Sequence, residues 1–581
     1  MIVSTSSRKF FLNAVKYCCT ILLIIISNTI VAQKPVKTKM STYCNPINIS
    51  YRYCLDTPSR REAADPTVII FQNEYYMFAS KSGGYWHSID LLAWDLIVTD
   101  DLPIEEYAPT AVVVEDWIYF MASGENSPIL RTSDPKSGKW EIVNPGFPFQ
   151  VIDPALLYDN GKMFLYYGCS NQNPLYGVEL DFNNKLNPVG LSTPLLNGKP
   201  EIHGWEKQGD YNELNSAPWI EGAWVNKYDG KYYLQYAGPG TEFKSYGDGV
   251  YVSEFPLGPF VYQEYSPFSI KQGGFICGAG HGSTFKDISG NYRHVATQSI
   301  SVKHMFERRI GLFPAEFDRQ ANLYSDTKWG DYPHYIKQEK SKNTFTGWML
   351  LSYKKKASAS STLDSSSILN AFDENIRTHW SAKTGEAGEW LNVDLDGQQT
   401  INAVQINFAD QDSELFGRND GIYYQYIIEY SNDGINWNVL IDKSKNTIDS
   451  PHDYIELDKP TIARFIRITN KYVPSGKFAL SGFRIFGIAD KAKPKRIDDF
   501  SALRNKNDKR NVTLNWQADK NANGYIINYG ISKEKLNNHF MIYEKSEITL
   551  RSLNSNCEYY FSIDSFNEGG VSLGKQIKRV N

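Results

Sequence analysis

A short motif recurs five times between residues 64 and 295. Each copy has an apolar strand, a polar turn and an aromatic strand, the pattern of a β-hairpin. At the equivalent position the copies carry Asp65, Ala108, Asp153, Glu221 and His281. Five hairpin repeats predict a five-bladed β-propeller, whose innermost strands would bring that one position to a shared centre.

Three of these five residues are carboxylates: Asp65, Asp153 and Glu221. Carboxylates crowded into a partly apolar pocket cannot all keep ordinary pKa values, so at least one should keep its proton at neutral pH. Glycoside hydrolysis needs that combination, because one carboxylate acts as base and one carboxylic acid donates a proton. The alternative is that the three carboxylates are buried and paired with cations for structural reasons. This alternative is disfavoured because burying carboxylates is costly and the repeat has no cationic position.

Composition restricts the class of protein and its partners. The chain is rich in Tyr, Phe, Trp and Gly, as propellers and sandwiches are, and it has few amphipathic helical patterns. Its formal net charge is −4 and it has no basic stripe. We therefore expect no nucleic-acid partner.

Residues 1–32 have the pattern of a secretory signal peptide. Arg8 and Lys9 give a positive leader, residues 18–26 form an apolar core, and Ala32 ends a cleavage site. An N-terminal membrane anchor is the alternative, but the apolar run is short for a bilayer span. The sequence predicts a secreted or, in a bacterium, periplasmic protein with no transmembrane segment after cleavage.

Five cysteines remain after residue 32: Cys44, Cys54, Cys169, Cys277 and Cys557. Their spacing matches no zinc motif. Cys44 and Cys54 could form a disulfide in an oxidising compartment, or all five could be small buried apolar residues.

Residues 353–488 follow a lysine- and serine-rich break and have a new β-rich pattern. The segments 371–375, 378–380 and 464–468 resemble the discoidin, or coagulation factor 5/8 type C, domain. The resemblance implies a β-sandwich that in secreted glycosidases often binds carbohydrate, with a structural calcium ion held by Asp373 and Thr378. A sandwich that serves only as a spacer or packing partner is the alternative.

Residues 494–581 resemble a fibronectin type III sandwich. Trp516 ends an alternating strand, residues 525–529 form another, and Tyr559 lies where a tyrosine corner is expected. The predicted fold class is therefore all-β: a five-bladed β-propeller over residues 33–340 followed by two β-sandwich domains.

Three motifs of the propeller region carry a second resemblance. Ala64-Asp65-Pro66, Ile152-Asp153-Pro154 and Trp219-Ile220-Glu221-Gly222 resemble, in that order, the motifs of glycoside hydrolase family 43. The resemblance implies that Asp65 is the general base, that Glu221 is the general acid, and that Asp153 orients the acid and raises its pKa. It also implies inversion of anomeric configuration.

The same resemblance suggests His281 and Arg308 as further site residues, and position along the chain suggests Trp86 and Trp205. His281 would contribute to a metal site at the propeller axis, usually calcium and often through water, although a hydrogen-bonded core histidine is the simpler reading. Trp86 could be a sugar platform or could fill a blade. Arg308 is chosen over Arg309 as a sugar contact, and Trp205 lies in a long insert that could build a subsite.

These patterns favour a secreted inverting exo-glycosidase that removes terminal pentose or furanose residues from plant-type polysaccharides. The family resemblance implies an α-L-arabinofuranosidase or β-xylosidase, with a galactan- or galactofuranose-active enzyme as the alternative. A non-catalytic glycan-binding propeller and a structural adhesin are the candidates of other classes. Neither candidate explains why three carboxylates occupy the same position of the repeat. No organic cofactor is expected.

Overall fold

The computed structural model of the protein describes residues 40–103, 105–337, 344–418 and 421–581. Within these ranges the regular structure is almost entirely β. The helices are short 3-10 turns at Pro135–Ser137, Phe182–Asn184, Gly204–Glu206 and Ile368–Ala371. None of the helices described could span a membrane. The proposed signal segment, residues 1–32, lies outside the described residues.

Five antiparallel sheets, named blades 1 to 5, follow one another along the chain. Blade 1 comprises Thr67–Phe71, Glu74–Phe78, Gly84–Ser88 and Asp95–Val98, and blade 2 comprises Thr110–Val114, Trp117–Met121, Ile129–Thr132 and Glu141–Asn144. Blade 3 comprises Ala155–Asp159, Lys162–Tyr167, Leu175–Asp181, Asn187–Pro188 and Thr193–Leu196. Blade 4 comprises Glu221–Tyr228, Lys231–Gly238, Gly247–Ser253, Val261–Tyr262 and Ser269–Ile270, and blade 5 comprises Cys277–Lys286, Tyr292–Ser299, Arg308–Phe317 and Leu323–Ser325.

The five sheets close into a ring through their innermost strands. Thr67 Oγ1 donates a hydrogen bond to Pro109 O (3.0 Å), which joins blade 1 to blade 2. Val68 N donates to Ser283 Oγ (3.2 Å), which joins blade 5 back to blade 1. Two short strand pairs, Thr42–Tyr43 with His334–Tyr335 and Arg52–Tyr53 with Arg61–Glu62, complete this part of the chain. The predicted five-bladed propeller is confirmed.

The repeat is less regular in structure than in sequence. Asp65, Ala108 and Asp153 share a left-handed backbone with φ of 54°, 48° and 49°. In blade 4 the left-handed residue is Gly222 (φ 66°), one residue after Glu221. The register of that hairpin shifts between Glu221 and Trp224, which is a β-bulge. The prediction that Glu221 occupies the same repeat position as Asp65 and Asp153 was therefore wrong by one residue.

The two sandwiches follow the propeller. The first comprises Met349–Leu350, Lys356–Ala359, Trp380–Ser381, Trp390–Phe408, Gln425–Ser431, Asn438–Asp442, His452–Tyr472 and Ala479–Ile488. The second pairs a sheet of Phe500–Arg504, Val512–Trp516 and Glu547–Leu550 with one of Gly524–Gly530, Asn538–Tyr543, Tyr559–Asn567, Gly570–Ser572 and Lys578–Val580. The first sandwich begins before the predicted boundary at residue 353.

In the second sandwich the Tyr559 hydroxyl accepts a hydrogen bond from the backbone N–H of Asn554 (2.9 Å), as a tyrosine corner does. Its assignment as fibronectin type III stays a prediction. Cys44 and Cys54 are buried free thiols, so they do not form the disulfide that the sequence allowed. Cys277 is also buried, but Cys169 and Cys557 are partly exposed, so the alternative of five buried cysteines holds for three of them.

One hydrophobic cluster is shared by the propeller and both sandwiches. Its buried members include Cys44, Trp329 and Tyr332 from the propeller region, Met349, Leu350, Tyr454 and Phe486 from the first sandwich, and Ile526, Met541 and Phe566 from the second. Residues 40–581 accordingly form one compact unit.

Candidate active site

A cavity of about 400 Å³ lies where the innermost strands of the blades meet. The lining includes five residues that the sequence had singled out: Asp65, Asp153, Glu221, His281 and Arg308. The innermost strands of blades 1, 3, 4 and 5, or the turns that lead into them, bring the first four side chains together, and Arg308 begins the third strand of blade 5. The remaining lining is Glu106, Tyr107, Ser123, Gly124, Glu125, Gln150, Ile152, Cys169, Thr241 and Phe306.

Asp65 is buried and is surrounded by donors. Its Oδ2 accepts a hydrogen bond from Ser80 Oγ (2.6 Å), and its Oδ1 accepts one from Arg308 Nη1 (3.0 Å) and one from Thr297 Oγ1 (3.3 Å). The imidazole Nδ1 of His281 is 3.3 Å from the same Oδ1. Burial alone would raise the pKa of Asp65, but the charges of Arg308 and His281 and these hydrogen bonds outweigh it and hold the pKa below its ordinary value. The carboxylate is therefore ionised at neutral pH.

Arg308 is itself fixed by a second carboxylate. Its Nη2 donates to Glu62 Oε1 (2.7 Å) and its Nη1 also reaches Thr241 Oγ1 (3.2 Å). The neighbouring Arg309 points away from the cavity, and its Nε donates to His452 Nε2 (2.7 Å). Of the two arginines, Arg308 is the one that faces the cavity. It contacts the proposed base.

Asp153 lies in a different environment from Asp65. Burial is the main cause that raises its pKa, to about 7, and the charges of Glu221 and Asp65 add to the effect, while His281 partly offsets it. Carboxylate oxygens of Asp153 and Glu221 and the sulfur of Cys169 lie within 4.8 Å of one another. Asp153 therefore retains a proton near neutral pH, and it lies close to the Glu221 carboxyl group.

Glu221 is held by two donors that the sequence reading missed. The Tyr246 hydroxyl donates to Oε1 (2.5 Å) and the Cys169 thiol donates to Oε2 (3.0 Å). Cys169 follows the second strand of blade 3, close to the place that Ser80 and Ser123 take after the second strands of blades 1 and 2. A small polar residue recurring at that point was a usable signal. Tyr246 had no comparable signal.

His281 lies between the carboxylates. Its Nδ1 is 3.3 Å from Asp65 Oδ1 and 3.8 Å from Asp153 Oδ2. Burial lowers the pKa of His281, but the charges of Asp65, Asp153 and Glu221 outweigh burial and raise the pKa above its ordinary value. This arrangement fits a charged imidazole. It does not fit calcium, which takes about six to eight oxygen ligands.

The two tryptophans proposed as sugar contacts are not in the cavity. Trp86 is fully buried in the core of blade 1, where it pairs with Met77 across the sheet. Trp205 is also fully buried, with its ring 5.4 Å from that of Tyr236 and its Nε1 donating to the Tyr262 hydroxyl. Both expectations were wrong, because each indole fills space between strands and exposes no face.

Tyr107 and Phe306 supply the aromatic wall instead. Their ring centroids are 5.4 Å apart, and the Arg308 guanidinium lies 5.0 Å from the Phe306 centroid. Both rings are partly exposed and line the cavity.

Asp373 and Thr378 lie in the first sandwich and do not line the cavity. The Thr378 hydroxyl donates to Asp373 Oδ2 (2.7 Å) and lies 2.9 Å from the carbonyl oxygen of Asn375. Burial raises the pKa of Asp373 to about 6. A carboxylate, a hydroxyl and a carbonyl oxygen at one loop fit the chemistry of calcium, so Asp373 and Thr378 would hold the ion there. Calcium at this loop stays a prediction.

Comparison with known proteins assigns two of the regions. The model of Glycosyl hydrolases family 43 matches residues 59–319, and that of the F5/8 type C domain matches residues 356–481. A β-D-galactofuranosidase, xynD, of Aspergillus niger is 24% identical over 268 residues, which are 39% of this chain and 72% of the relative.

Two solved structures are also similar. A glycoside hydrolase is 17% identical, covers 75% of this chain and 99% of its own, and has a TM-score of 0.44. A thermostable family-43 glycoside hydrolase is 21% identical, covers 51% of this chain and 100% of its own, and has a TM-score of 0.42.

The family matches confirm the predicted enzyme class and the discoidin-like domain. Residues 59–319 are a Glycosyl hydrolases family 43 domain, residues 356–481 are an F5/8 type C domain, and the protein is a glycoside hydrolase of a family that inverts anomeric configuration.

Proposed function

We propose that the protein is an exo-acting inverting glycosidase that removes terminal pentose or furanose residues from plant-type polysaccharides, with α-L-arabinofuranosidase or β-xylosidase activity. One observation carries the proposal: an ionised carboxylate, Asp65, and a carboxyl group that retains a proton near neutral pH, Asp153, line the same cavity, with Glu221 close to Asp153. Inverting hydrolysis uses one group of each kind.

In this proposal Asp65 accepts a proton from a water molecule whose oxygen bonds to the anomeric carbon. The bond from that carbon to the leaving oxygen breaks, and the leaving oxygen takes the proton of Glu221. Tyr246 and Cys169 orient the Glu221 carboxyl group through its two oxygens. Asp153, which lies close to Glu221, orients the acid.

The size of the cavity supports exo action. Its volume of about 400 Å³ lies at the small end of the roughly 300–1,000 Å³ that small-molecule sites have. Tyr107 and Phe306 give it an apolar wall next to the charged groups. Such a cavity suits a terminal sugar better than the interior of a polymer.

A galactofuranose-active enzyme is the second candidate. The relative from Aspergillus niger, which carries the name β-D-galactofuranosidase, supports it. Galactofuranose and arabinofuranose share a five-membered ring, so that the same cavity could accept either. The basic leader and apolar core of residues 1–32 support a further proposal, that the enzyme acts after export, in the periplasm or outside the cell.

A panel of 4-nitrophenyl glycosides tests the proposal. It should contain the α-L-arabinofuranoside, the β-D-xylopyranoside and the β-D-galactofuranoside, with Asp65→Asn as the inactive control. Proton NMR of the first-formed sugar should show the inverted anomer. Failure to hydrolyse any member of the panel, or arabinan, xylan and galactan, would overturn the proposed substrates, and a retained anomer would overturn the mechanism.

A further inference from the structure

Two adjacent strands separate the catalytic cavity from the first sandwich. Arg61–Glu62 runs beside the start of Arg308–Phe317, where Arg309 Nη1 donates to the carbonyl oxygen of Arg61 (2.8 Å). Successive side chains of a strand point to opposite faces. Arg308 contacts both Asp65 and Glu62 on the cavity side, and therefore Arg61 and Arg309 face the sandwich.

Arg61 is fully buried and is held by carboxylates of the sandwich. Its Nε donates to Asp410 Oδ2 (2.9 Å) and its Nη1 donates to Asp449 Oδ2 (2.7 Å). The guanidinium also lies 4.1 Å from the centroid of the Tyr53 ring, and Nη2 donates to the Tyr424 hydroxyl (3.2 Å). A buried arginine with two charged partners and satisfied donors cannot move without leaving a charge unpaired, which is costly.

Arg309 is held by the same domain. Its Nε donates to His452 Nε2, and His452 Nδ1 is 2.8 Å from Asn407 Oδ1. Burial and the neighbouring Arg309 hold the pKa of His452 well below its usual range. The imidazole is therefore neutral and accepts the bond from Arg309.

Two loops that border the cavity are also tied to the first sandwich. Lys303 Nζ, three residues before Phe306 in the sequence, donates to the carbonyl oxygen of Asp410 (2.7 Å). Arg377 of the sandwich pairs with Asp210 (2.7 Å) and donates to the carbonyl oxygen of Glu242 (3.1 Å), the residue after Thr241. Thr241 in turn contacts Arg308.

We propose that the F5/8 type C domain positions the catalytic site. Asp410 and Asp449 fix Arg61, and the strand that carries Arg61 thereby holds Glu62 and Arg308 in place. Arg308 in turn holds the proposed base, Asp65. The proposal rests on the function proposed above. It assigns this domain a task besides carbohydrate binding. Asp410 and Asp449 do not line the cavity and act only through Arg61.

The test uses the full-length protein with Asp410→Asn, Asp449→Asn and the double variant. The matched control is Asp394→Asn, which removes a carboxylate of the same domain whose partner Arg464 is exposed. Activity is measured on the 4-nitrophenyl glycoside that the wild type hydrolyses, because this small substrate needs no carbohydrate-binding domain. Circular dichroism and thermal melting establish which variants fold.

We expect the double variant to lose about 10- to 100-fold in kcat, since small displacements of catalytic groups cost rates of that order, with KM unchanged. The acid limb of its pH profile should move to higher pH, because the pKa of Asp65 rises when Asp65 loses contact with Arg308. The remaining charged neighbours of Asp65 are His281, Asp153 and Glu221. Asp394→Asn should match the wild type in both measurements.

A second readout does not depend on activity. Amide hydrogen exchange of peptides covering residues 61–65 and 308–317 should be slow in the wild type and in Asp394→Asn, and faster in the Asp410 and Asp449 variants. Folded variants with wild-type kcat, acid limb and exchange would overturn the proposal. So would a double variant that fails to fold while both single variants behave as wild type. A wild type inert on every glycoside would refute the proposed function alone, since the exchange result would still decide the positioning role.

Discussion

At the scale of single residues, the groups around each carboxylate determine its pKa and therefore its proposed role. Asp65 and Asp153 have the same backbone conformation and similar burial. Asp65 faces Arg308 and two hydroxyl donors, whereas Asp153 faces Glu221. The pKa of Asp65 is consequently lowered and that of Asp153 is raised to about 7. One repeat position thus yields an ionised carboxylate, the proposed base, in one blade and a carboxyl group that retains a proton near neutral pH in another.

Replacing the proposed base, Asp65, should abolish activity. Asp65→Asn cannot accept a proton from water, so we expect a loss of about 10²–10⁴-fold in kcat on every active substrate. Asp159→Asn is the matched control, because it removes a carboxylate at the outer end of the innermost strand of blade 3, where it pairs with Lys227. Steady-state kinetics measure both. Normal turnover in Asp65→Asn would remove the assignment.

The pH profile should follow from the same two environments. Asp65 has a depressed pKa, so the activity that needs its charge is present at neutral pH and is lost only as pH falls below the ordinary range of an aspartate. Asp153, beside the proposed acid, loses its proton as pH rises through about 7, and activity should fall there.

Asp153→Asn should move that basic limb to lower pH, because the remaining carboxyl group is freed from a negative neighbour. Plots of kcat/KM against pH check the shift. An unmoved limb in this variant would separate Asp153 from the acid.

Cys169 offers a chemical test of the site. Its thiol is partly exposed in the cavity and contacts Glu221, and burial raises its pKa. Methyl methanethiosulfonate should therefore inactivate the enzyme slowly at neutral pH and faster at high pH. Cys169→Ala should resist the reagent, whereas Cys557→Ala, which removes the other partly exposed thiol among the described residues, should stay sensitive. Equal sensitivity of both variants would contradict this placement.

The sequence was informative about residues that sit in short, spaced motifs and uninformative about isolated ones. Asp65, Asp153 and Glu221 were found because each stands in a recognisable turn before an apolar strand. The local sequence of Trp86, close to a glycine pair, is the same whether its side chain faces a sugar or fills a blade. Only packing against Met77 and its neighbours distinguishes the two, and spacing does not encode that packing.

At the scale of strands and loops, bulges decide where side chains point. The repeat predicted the five hairpins, but it did not predict the extra residue that turns Glu221 toward Tyr246 and Cys169. A bulge leaves hardly any trace in a pattern of apolar residues, since it shifts register without changing composition. The sequence feature that marks the bulge is the glycine after Glu221, Gly222, which adopts a left-handed backbone.

Gly222→Ala should therefore damage catalysis strongly. A Cβ at this position would lie 2.7 Å from Cγ of His281, and the φ of 66° is unfavourable for alanine. Gly230→Ala is the control, because Gly230 has φ of 75° in the turn of the same hairpin and a Cβ there would contact nothing. Backbone strain alone costs roughly 1 kcal/mol, so both variants should melt slightly earlier. Only Gly222→Ala should lose activity, and equal kcat values would contradict the close contact.

The loop of Asp373 and Thr378 makes a separate prediction. If calcium binds there, millimolar Ca²⁺ should raise Tm, because a ligand that binds only the folded state stabilises it. EDTA should reverse the rise. Asp373→Asn should abolish it, whereas Asp433→Asn, in another acidic turn of the same domain, should not. A wild-type Tm indifferent to Ca²⁺ would count against the site.

At the scale of the whole molecule, the three domains are not independent. The sequence indicated their order through motifs, but it gave no sign that they share a core. The residues that meet there, such as Trp329, Phe486 and Phe566, lie in segments that read as ordinary parts of separate domains. Inter-domain packing depends on which faces the folded domains present to one another, and periodicity along one strand does not specify this.

Removing the second sandwich should consequently destabilise the propeller. A chain ending at residue 493 loses Ile526, Met541 and Phe566 from the shared cluster. Each fully buried apolar side chain of this size contributes about 1.5–3 kcal/mol. The loss is therefore comparable with the ~5–15 kcal/mol net stability of a folded protein. The truncated chain should aggregate or melt far below the full-length protein, which should unfold in a single calorimetric transition. Separate transitions, together with a soluble truncated chain that keeps wild-type kcat on an aryl glycoside, would show instead that this sandwich is a detachable module.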